Sequence, residues 1–550
     1  MTACIFFDPE GYTTSGPRLM GRNAAGESFL RGFLEYSSAD EFWVHVNQAD
    51  HAEIFEAQLR SYGRQEPVRV TGRHSLSKLS QPGTFYYPGP GIGDAAFHRG
   101  IFGHGSWSLC GITHTTSSAH SMDSISELLT APVQPWDAVI CTSTAVKENV
   151  NRILQAQVDY LTDRLGITRL VLPQLPVIPL GIHTRDFFYD DEQKAAARAH
   201  LNIDSEALVV VYMGRLSFHA KAHPLAMYQA LEKAVHKSAK NVILIECGWH
   251  ANDYISNAFA EAAQLACPSV RVINLDGRVA EQRTLAWSSA DLFCSLSDNI
   301  QETFGIVPIE AMAAGLPVVV SDWNGYKDTV RDGLDGFRVA TTMPEPGLGS
   351  DLVQRYAKDM DTYDMYCGHS CSLISVNVET TADAFHRLFV SEELRKKMGE
   401  SGRKRAKEVF DWSHLIPQYE ELWEELAAVR QRDSENVSRL PNPWPARLDP
   451  FYSFAGYPTF TLTKKSRLSL AQPNKDVAIH AIKKYFALDM VNFARLIVPS
   501  DDELHLVLKN ASSKVQTAEE LVAEISQERK PYVIRALGWL LKLGILKHHP

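Results

Sequence analysis

Two carboxylates and two cations in the second half of the chain have the spacing of a site that binds a diol and an anion together. Glu302 and Glu310 stand eight residues apart around an apolar segment, and Arg215 and Lys221 stand six residues apart after a β-branched run. Carboxylates accept paired hydrogen bonds from hydroxyls, whereas Arg and Lys bind phosphate oxygens. A carboxylate inside an apolar segment requires a partner. The alternative is an amphipathic helix with two incidental glutamates, beside two solvated surface cations.

The segment after Glu302 is predicted to become a helix at about Phe304 and to end at Gly315, a suitable C-terminal glycine. The free N–H groups at a helix start carry the positive end of the helix dipole and attract phosphate, so Thr303, Phe304 and Gly305 are expected beside an anion. Eight helical residues would place the two glutamates about 12 Å apart. That distance suits the sugar end and the ribose end of a nucleotide sugar.

Buried runs alternate with helical patterns in both halves of the chain, which predicts two doubly wound parallel sheets. The runs of the first half are Ala3–Phe7, Phe42–Val46, Trp107–Thr113, Ala138–Thr142 and Leu175–Ile178. Those of the second half are Leu208–Met213, Asn241–Glu246, Val270–Asn274, Asp291–Ser295 and Leu316–Ser321. Two such units in tandem enclose a cleft between the carboxyl ends of their sheets, where ligands bind.

The stretch from Gln301 to Asp322, with its two glutamates, resembles the E-x7-E signature of the retaining family 4 glycosyltransferases. Asp332–Phe337 downstream and Val177–Ile182 upstream are also similar to that family, although His183 stands where the family often has Asp. The resemblance covers roughly residues 1–425. It implies a GT-B-like α/β fold and retaining transfer of a sugar from a nucleotide-diphosphate sugar to an acceptor hydroxyl.

The resemblance also implies roles for particular residues. Arg215 and Lys221 would stabilise the departing diphosphate, with the Thr303–Gly305 amides, while Glu302 would position the sugar and Glu310 the ribose. His114, at the end of the run Trp107–Thr113, is the histidine expected at the catalytic site, and His120 is the alternative. Gly16 is expected near the donor, although Gly16-Pro17 stands in place of the family's paired glycines. No metal or other cofactor is implied.

Combining pattern and resemblance, we divide the chain into four parts. These are an acceptor domain (1–185), a nucleotide-sugar domain (186–432), a connector rich in Pro and aromatic residues (433–475) and a helical, winged-helix-like module (476–550). The expected partners are a nucleotide-diphosphate sugar and a glycan or other hydroxyl acceptor, in polysaccharide or glycoconjugate synthesis. Self-association through the last module is left open.

Composition limits the other classes. The chain has 550 residues, of which 45% are hydrophobic and 22% charged, and its net charge is −10, so a nucleic-acid binder is disfavoured. Ten Lys and Arg residues against nine Asp and Glu residues in 476–550 are too balanced for a DNA-binding surface. The N-terminus lacks a signal peptide pattern and no run reaches the ~18 residues of a membrane span, so we expect a cytoplasmic protein, with peripheral contact to the inner membrane face left open.

Eight cysteines, several inside apolar runs, are expected to be buried thiols. Cys367 and Cys371 have a spacing that suggests a metal site, but zinc takes about four ligands and no second close pair follows. We therefore expect an insertion loop with ordinary thiols.

Two rival functions remain at this point. One is a catalytically inactive sugar-nucleotide-binding or regulatory protein that acts through the C-terminal module, although Arg215, Lys221 and both glutamates are intact. The other is a phosphorylase, for which we find no motif around a cofactor lysine. The base and sugar of the donor, the acceptor and the linkage are not readable.

Overall fold

The computed structural model describes residues 2–13, 21–437, 442 and 444–549, and only the backbone of Gly21 and Arg22. The chain divides into two compact units, Met1–Trp444 and Pro445–Pro550, which are described separately.

The first domain of the larger unit is built on a six-stranded parallel sheet with the order β3-β2-β1-β4-β5-β6. Its strands are β1 (Cys4–Phe6), β2 (Phe42–His45), β3 (Val68–Thr71), β4 (Thr84–Tyr86), β5 (Ser108–Ile112) and β6 (Ala138–Ile140). Its helices are α1 (Gly21–Tyr36), α2 (Ala49–Ser61), α3 (Gly93–Gly100), α4 (Ala119–Glu127) and α5 (Thr144–Leu165).

The second domain repeats this topology, since its parallel sheet has the order β12-β11-β10-β7-β8-β9. Its strands are β7 (Leu208–Met213), β8 (Val242–Gly248), β9 (Arg271–Asp276), β10 (Leu292–Ser295), β11 (Val318–Ser321) and β12 (Gly336–Val339). Its helices are α6 (Asp191–His200), α7 (Leu225–Ser238), α8 (Asp253–Ala266), α9 (Ala280–Ser289), α10 (Ile306–Ala313) and α11 (Tyr326–Thr329). Strand order 3-2-1-4-5-6 in both sheets is that of the Rossmann fold.

The predicted fold class is therefore confirmed: two Rossmann-like domains form the larger unit. Strands β7, β8, β10 and β11 are buried along their whole length because helices cover both faces of the sheet, which explains their continuous apolar runs. The sequence did not predict β3 and β4, which have only four and three residues. The predicted strand Leu175–Ile178 is wrong, since this segment forms only one isolated bridge, between Val177 and Cys141 at the edge of the first sheet.

A helical hairpin, which we call the 343–374 insertion, follows the second sheet. It stands on a two-stranded antiparallel base and precedes three longer helices. The elements are β13 (Thr341–Thr342), α12 (Ser350–Ala357), α13 (Tyr363–Cys371), β14 (Ser375–Val376), α14 (Val378–Val390), α15 (Glu392–Val409) and α16 (Trp412–Asp433). The expected insertion loop with Cys367 and Cys371 is therefore a helix, α13.

Helix α16 returns to the first domain and packs against it. The rings of Trp412 and Trp423 lie 5.7 Å from Phe29 and 6.0 Å from Phe33, respectively, and both tryptophans are fully buried. Where the chain crosses, the Ile182 amide donates to the Phe410 carbonyl. The last helix of the second domain thus belongs structurally to the core of the first.

The smaller unit combines short helices with a three-stranded antiparallel sheet in the order β16-β15-β17. Its elements are α17 (Pro450–Ser453), β15 (Arg467–Leu470), α18 (Lys475–Phe486), α19 (Asp489–Asn492), α20 (Asp501–Ala511), β16 (Gln516–Thr517), α21 (Ala518–Leu521), α22 (Lys530–Lys542) and β17 (Leu546–His549). Its predicted helical character is confirmed. The predicted division at 433, 475 and 476 is not tested, and stays a prediction.

Candidate active site

The centre of the site is an ion pair between two loops that leave adjacent strands at their carboxyl ends. Lys221 lies in the loop after β7 and Glu302 in the loop after β10, and β7 pairs with β10. The Lys221 Nζ atom lies 2.5 Å from Glu302 Oε2. Burial raises the pKa of the Glu302 carboxyl, but Lys221 and the Thr303 and Phe304 amides outweigh this, so the pKa lies below its ordinary value. The carboxyl is therefore ionised at neutral pH.

Arg215 is oriented by two contacts beside this pair. Its guanidinium donates to the Ala220 carbonyl at 2.6 Å and to Gln301 Oε1 at 3.0 Å. Gln301 was not predicted as a site residue, although it immediately precedes Glu302. The two cations and Glu302 are thus brought together as the sequence predicts, around one loop end.

The loop from Glu302 to Gly305 is tied to the first domain. Ser143, which caps α5, donates to the Thr303 carbonyl at 2.7 Å, and the Thr303 hydroxyl donates to the His114 carbonyl at 3.2 Å. Within the second domain, the Asn324 side-chain amide donates to the Glu302 carbonyl. Ser143 and Asn324 were missed because their contacts span domains or loops, which sequence spacing does not show.

Gly305 fixes the turn into helix α10. Its φ is +88°, and a Cβ at this position would lie 2.1 Å from the Tyr326 ring. Helix α10 begins at Ile306, two residues later than predicted. Thr303, Phe304 and Gly305 therefore lie before the helix, Glu302 is in a loop, and the 12 Å separation derived from eight helical residues does not apply.

Glu310 lies in helix α10 and is half-buried. Among the residues that the structure describes, no group donates a hydrogen bond to its carboxyl. Burial raises the pKa of Glu310 to about 7, and the charge of Arg283 offsets this only in part. A partly buried carboxyl usually accepts hydrogen bonds from the protein or from water. The apolar segment predicts a partner for this carboxylate, and that stays a prediction.

The two candidate histidines have different surroundings. His114 follows β5, is half-buried, and its carbonyl accepts the bond from Thr303 described above. His120 is an exposed residue in the first turn of α4. The third candidate of the N-terminal half, Gly16, lies outside the described residues.

The thiols of α13 are reduced and buried. All eight cysteines of the chain are free and buried, as predicted. Cys367 and Cys371 lie one helical turn apart, and burial raises their pKa values to about 11 and about 12. Within the described ranges, no three His, Cys, Asp or Glu side chains are grouped as metal ligands would be.

Two Rossmann-like domains, whose strand ends meet around the loops that carry Arg215, Lys221 and Glu302, define an architecture of the GT-B type. Residues 193–355 match the family model described as glycosyl transferases group 1. Residues 193–355 are therefore similar to the group 1 glycosyltransferases, and the resemblance stated from Glu302 and Glu310 is confirmed at that level.

Known proteins show how far this similarity extends along the chain. Alpha-maltose-1-phosphate synthase of Mycolicibacterium smegmatis is 24% identical over 364 residues, which cover 60% of this chain and 78% of that protein. D-inositol 3-phosphate glycosyltransferase of Mycobacterium sp. (strain KMS) is 32% identical over 168 residues, 30% of this chain and 36% of that protein. The crystal structure of HepE from Anabaena in complex with UDP covers 77% of this chain and 100% of its own, with a TM-score of 0.50 and 15% identity, and so supports the fold.

Among the residues that are described, no helix is both long and apolar enough to cross a membrane.

Proposed function

We propose that this protein transfers a sugar from a nucleoside diphosphate to an acceptor hydroxyl with retention of the anomeric configuration. The observation that carries the proposal is the convergence of Arg215 and Lys221 on the Glu302 loop, at the point where the strand ends of the two domains meet. Fixed cations there are suited to a diphosphate, on which negative charge grows as it leaves.

The chemical step needs one bond to break and one to form. The bond between the anomeric carbon and the diphosphate oxygen breaks, and the diphosphate leaves towards Arg215, Lys221 and the Thr303–Gly305 amides. The acceptor oxygen bonds to the same face of the anomeric carbon, and its proton passes to an oxygen of the leaving phosphate. Glu302 is ion-paired and ionised, so it positions Lys221 and the sugar and donates no proton.

Glu310 supplies the second contact to the donor. Its carboxyl has no donor within the described part of the chain and lies on the helix that begins beside the cationic loop. A ribose diol offers the two hydroxyl donors that such a carboxylate lacks. Because Arg215 and Lys221 supply positive charge, we propose that the transfer is independent of a metal ion.

The names of the relatives support a phosphorylated or nucleotide-linked substrate. One is named a maltose-1-phosphate synthase and another an inositol 3-phosphate glycosyltransferase, and the HepE crystal contains UDP. We propose a glycan or other hydroxyl compound as the acceptor, in polysaccharide or glycoconjugate synthesis on the cytoplasmic side. His114 rather than His120 is proposed to contact the sugar, because its turn touches Thr303.

The test begins with a thermal-shift screen of UDP, GDP and ADP, since a ligand that binds the native state raises the melting temperature. Nucleotide release from the matching sugar nucleotides is then measured for wild type, Arg215→Ala and Glu310→Ala, with and without EDTA. Lys233→Ala, which removes an exposed cation on α7, is the control. We expect Arg215→Ala to lower release about 100-fold, and the control to match wild type.

The same assay tests the stereochemistry. Proton NMR of the freed sugar reports its first-formed anomer when water replaces the acceptor, and retention predicts the anomer of the donor. Unchanged release in both site variants would overturn the site, and the inverted anomer would overturn the retaining mechanism.

A further inference from the structure

The 343–374 insertion lies over the loop that carries the two cations. On one side of the insertion, helix α13 packs against the loop from Ser217 to Lys221. A Cβ at Gly368 would lie 2.9 Å from the His219 Cβ atom, so no larger residue fits there without a shift. The Cys371 thiol donates to the Phe218 carbonyl at 3.7 Å. The insertion therefore packs against the loop from Ser217 to Lys221, which carries one of the two cations proposed to bind the diphosphate.

On its other side the insertion reaches the first domain through two tyrosines. The Tyr363 hydroxyl lies 2.9 Å from Ser117 Oγ and 3.3 Å from Thr115 Oγ1. The Ala119 amide donates to the Tyr356 hydroxyl at 2.9 Å. Ser117 is buried, so the contact with Tyr363 is shielded from water. These bonds join the insertion to the turn from His114 to Ala119, which we call the His114 turn.

The insertion has its own internal contacts, which hold the two tyrosines. Arg355 donates to both oxygens of the buried Asp361 carboxylate, at 3.0 and 2.7 Å, and His369 contacts the same carboxylate. The rings of Tyr356 and Tyr366 are stacked with centroids 4.5 Å apart. Because α12 and α13 are fixed to each other, the two hydroxyls are presented as one surface.

We propose that Tyr363 and Tyr356 are positioning residues that hold the His114 turn in place beside the loop from Glu302 to Gly305, which we call the donor loop. The turn is held from two directions: Thr303 of the donor loop binds the His114 carbonyl, and the insertion binds Thr115, Ser117 and Ala119. We therefore expect the turn to open more readily when either set of bonds is lost. The consequence for sugar transfer rests on the function proposed above, whereas the contact itself does not.

This arrangement predicts a specific defect when the hydroxyls are removed. The His114 turn can move away from the insertion only when the bonds to Ser117, Thr115 and Ala119 break, and each bond stabilises the turn modestly. Loss of both hydroxyls raises the opening of the turn about tenfold, since the effects of losing the two hydroxyls combine. Binding of a nucleotide is unaffected, because Tyr356 and Tyr363 do not touch Arg215, Lys221 or Glu310 in any hydrogen bond of the described residues.

The test compares Tyr363→Phe, Tyr356→Phe and their combination with Tyr366→Phe. Tyr366 lies on the same helix as Tyr363, and its hydroxyl makes no hydrogen bond among the described residues, so its phenylalanine variant is a matched control. Hydrogen exchange of amides 114–121 is measured in the nucleotide-free protein. We expect about tenfold faster exchange in the double variant, including the Ala119 amide, and no change in the control.

The second measurement is sugar-nucleotide cleavage. We expect kcat to fall severalfold in the double variant while the Kd of the nucleotide found by thermal shift stays within twofold, and the control to match wild type. Unchanged exchange in the double variant, equal acceleration in Tyr366→Phe, or faster exchange with unaltered kcat would each overturn the positioning role. If wild type binds no nucleotide and cleaves no donor, the proposed function fails, and with it the effect on transfer, while accelerated exchange would still show the contact.

Discussion

Lys221 and Glu302 form an ion pair with 2.5 Å between Nζ and Oε2, although 81 residues separate them in the sequence. The Glu302 side chain is only 8% exposed, so water cannot replace Lys221 as its partner. Lys221 therefore has two roles: it neutralises the Glu302 carboxylate, and it offers positive charge to the proposed diphosphate.

The first prediction separates these tasks. Lys221→Met leaves a covered carboxylate without its cation, which we expect to destabilise the protein by about 2–3 kcal/mol, somewhat less than a fully buried pair. Adding Glu302→Gln removes the unpaired charge and restores most of that stability. Nucleotide release stays low in both variants, because the cation is missing from each. Urea unfolding and the release assay measure the two effects.

The control for this prediction is Lys237→Met, which breaks an exposed pair with Asp383. We expect it to change stability by less than about 1 kcal/mol. Recovery of release in the Lys221→Met, Glu302→Gln double variant would contradict the charge role of Lys221.

The site residues that could be predicted are those on or directly beside regular elements. Arg215 and Lys221 follow a buried strand, and Glu310 lies in an apolar helix, so local pattern places them at the same edge of one sheet. Ser143 and Tyr363 could not be predicted in this way. Their partners lie 160 and 246 residues away, in the other domain, and no spacing rule connects them.

The second prediction concerns Glu246, a carboxyl buried behind the cationic loop. Burial raises its pKa to about 7, and the hydrogen bond that Tyr228 donates offsets this only in part. The folded protein therefore retains a proton that the unfolded chain loses near its ordinary pKa. The titration of Glu246 therefore lowers the free energy of unfolding by about 3 kcal/mol as pH rises from about 4.5 to 7. Above pH 7 this contribution is constant.

Glu246→Gln removes this titration. We expect the variant to lose stability less than wild type does between pH 5 and pH 8, as followed by urea unfolding at several pH values. Glu232→Gln on the neighbouring helix α7 is the control, since the pKa of the Glu232 carboxyl is lowered by its contacts with Ser269 and His236 despite partial burial. An equal pH dependence in wild type and Glu246→Gln would contradict the prediction.

The third prediction concerns the pH dependence of donor binding. Because burial raises the pKa of Glu310 to about 7, most protein molecules carry a protonated Glu310 carboxyl at pH 6 before the donor binds. Ribose hydroxyls donate to the ionised form, so affinity for the sugar nucleotide rises as pH increases from 6 to 8, by about tenfold. The diphosphate of a sugar nucleotide does not titrate in this range, which makes it a better probe than the free nucleotide.

Calorimetry of wild type and Glu310→Gln at pH 6, 7 and 8 checks this expectation. The amide cannot ionise, so the variant binds weakly and with a flat pH profile. A variant with the same pH slope as wild type would show that another group is responsible.

The limits of sequence reasoning are also visible at the start of α10. Pattern predicted the helix to begin at Phe304, but the left-handed backbone of Gly305 ends the loop and the helix begins at Ile306. The sequence shows the glycine, but it does not show that the Tyr326 ring occupies the space where a Gly305 side chain would lie. Tyr326 is brought there by the loop after β11, which is a tertiary contact.

The last prediction tests that contact with a pair of glycines. Gly305→Ala places a methyl group 2.1 Å from the Tyr326 ring at a φ of +88°, so both backbone strain and overlap must be relieved. We expect a loss of about 3 kcal/mol and weaker nucleotide binding, because the Tyr326 ring must move away from Ser295. Gly166→Ala is the control: its φ is +65°, but nothing lies within 4 Å of its Cβ position, so about 1 kcal/mol of backbone strain remains. Urea unfolding and nucleotide titration compare the two, and similar losses in both would show that the Tyr326 ring does not hold the donor loop.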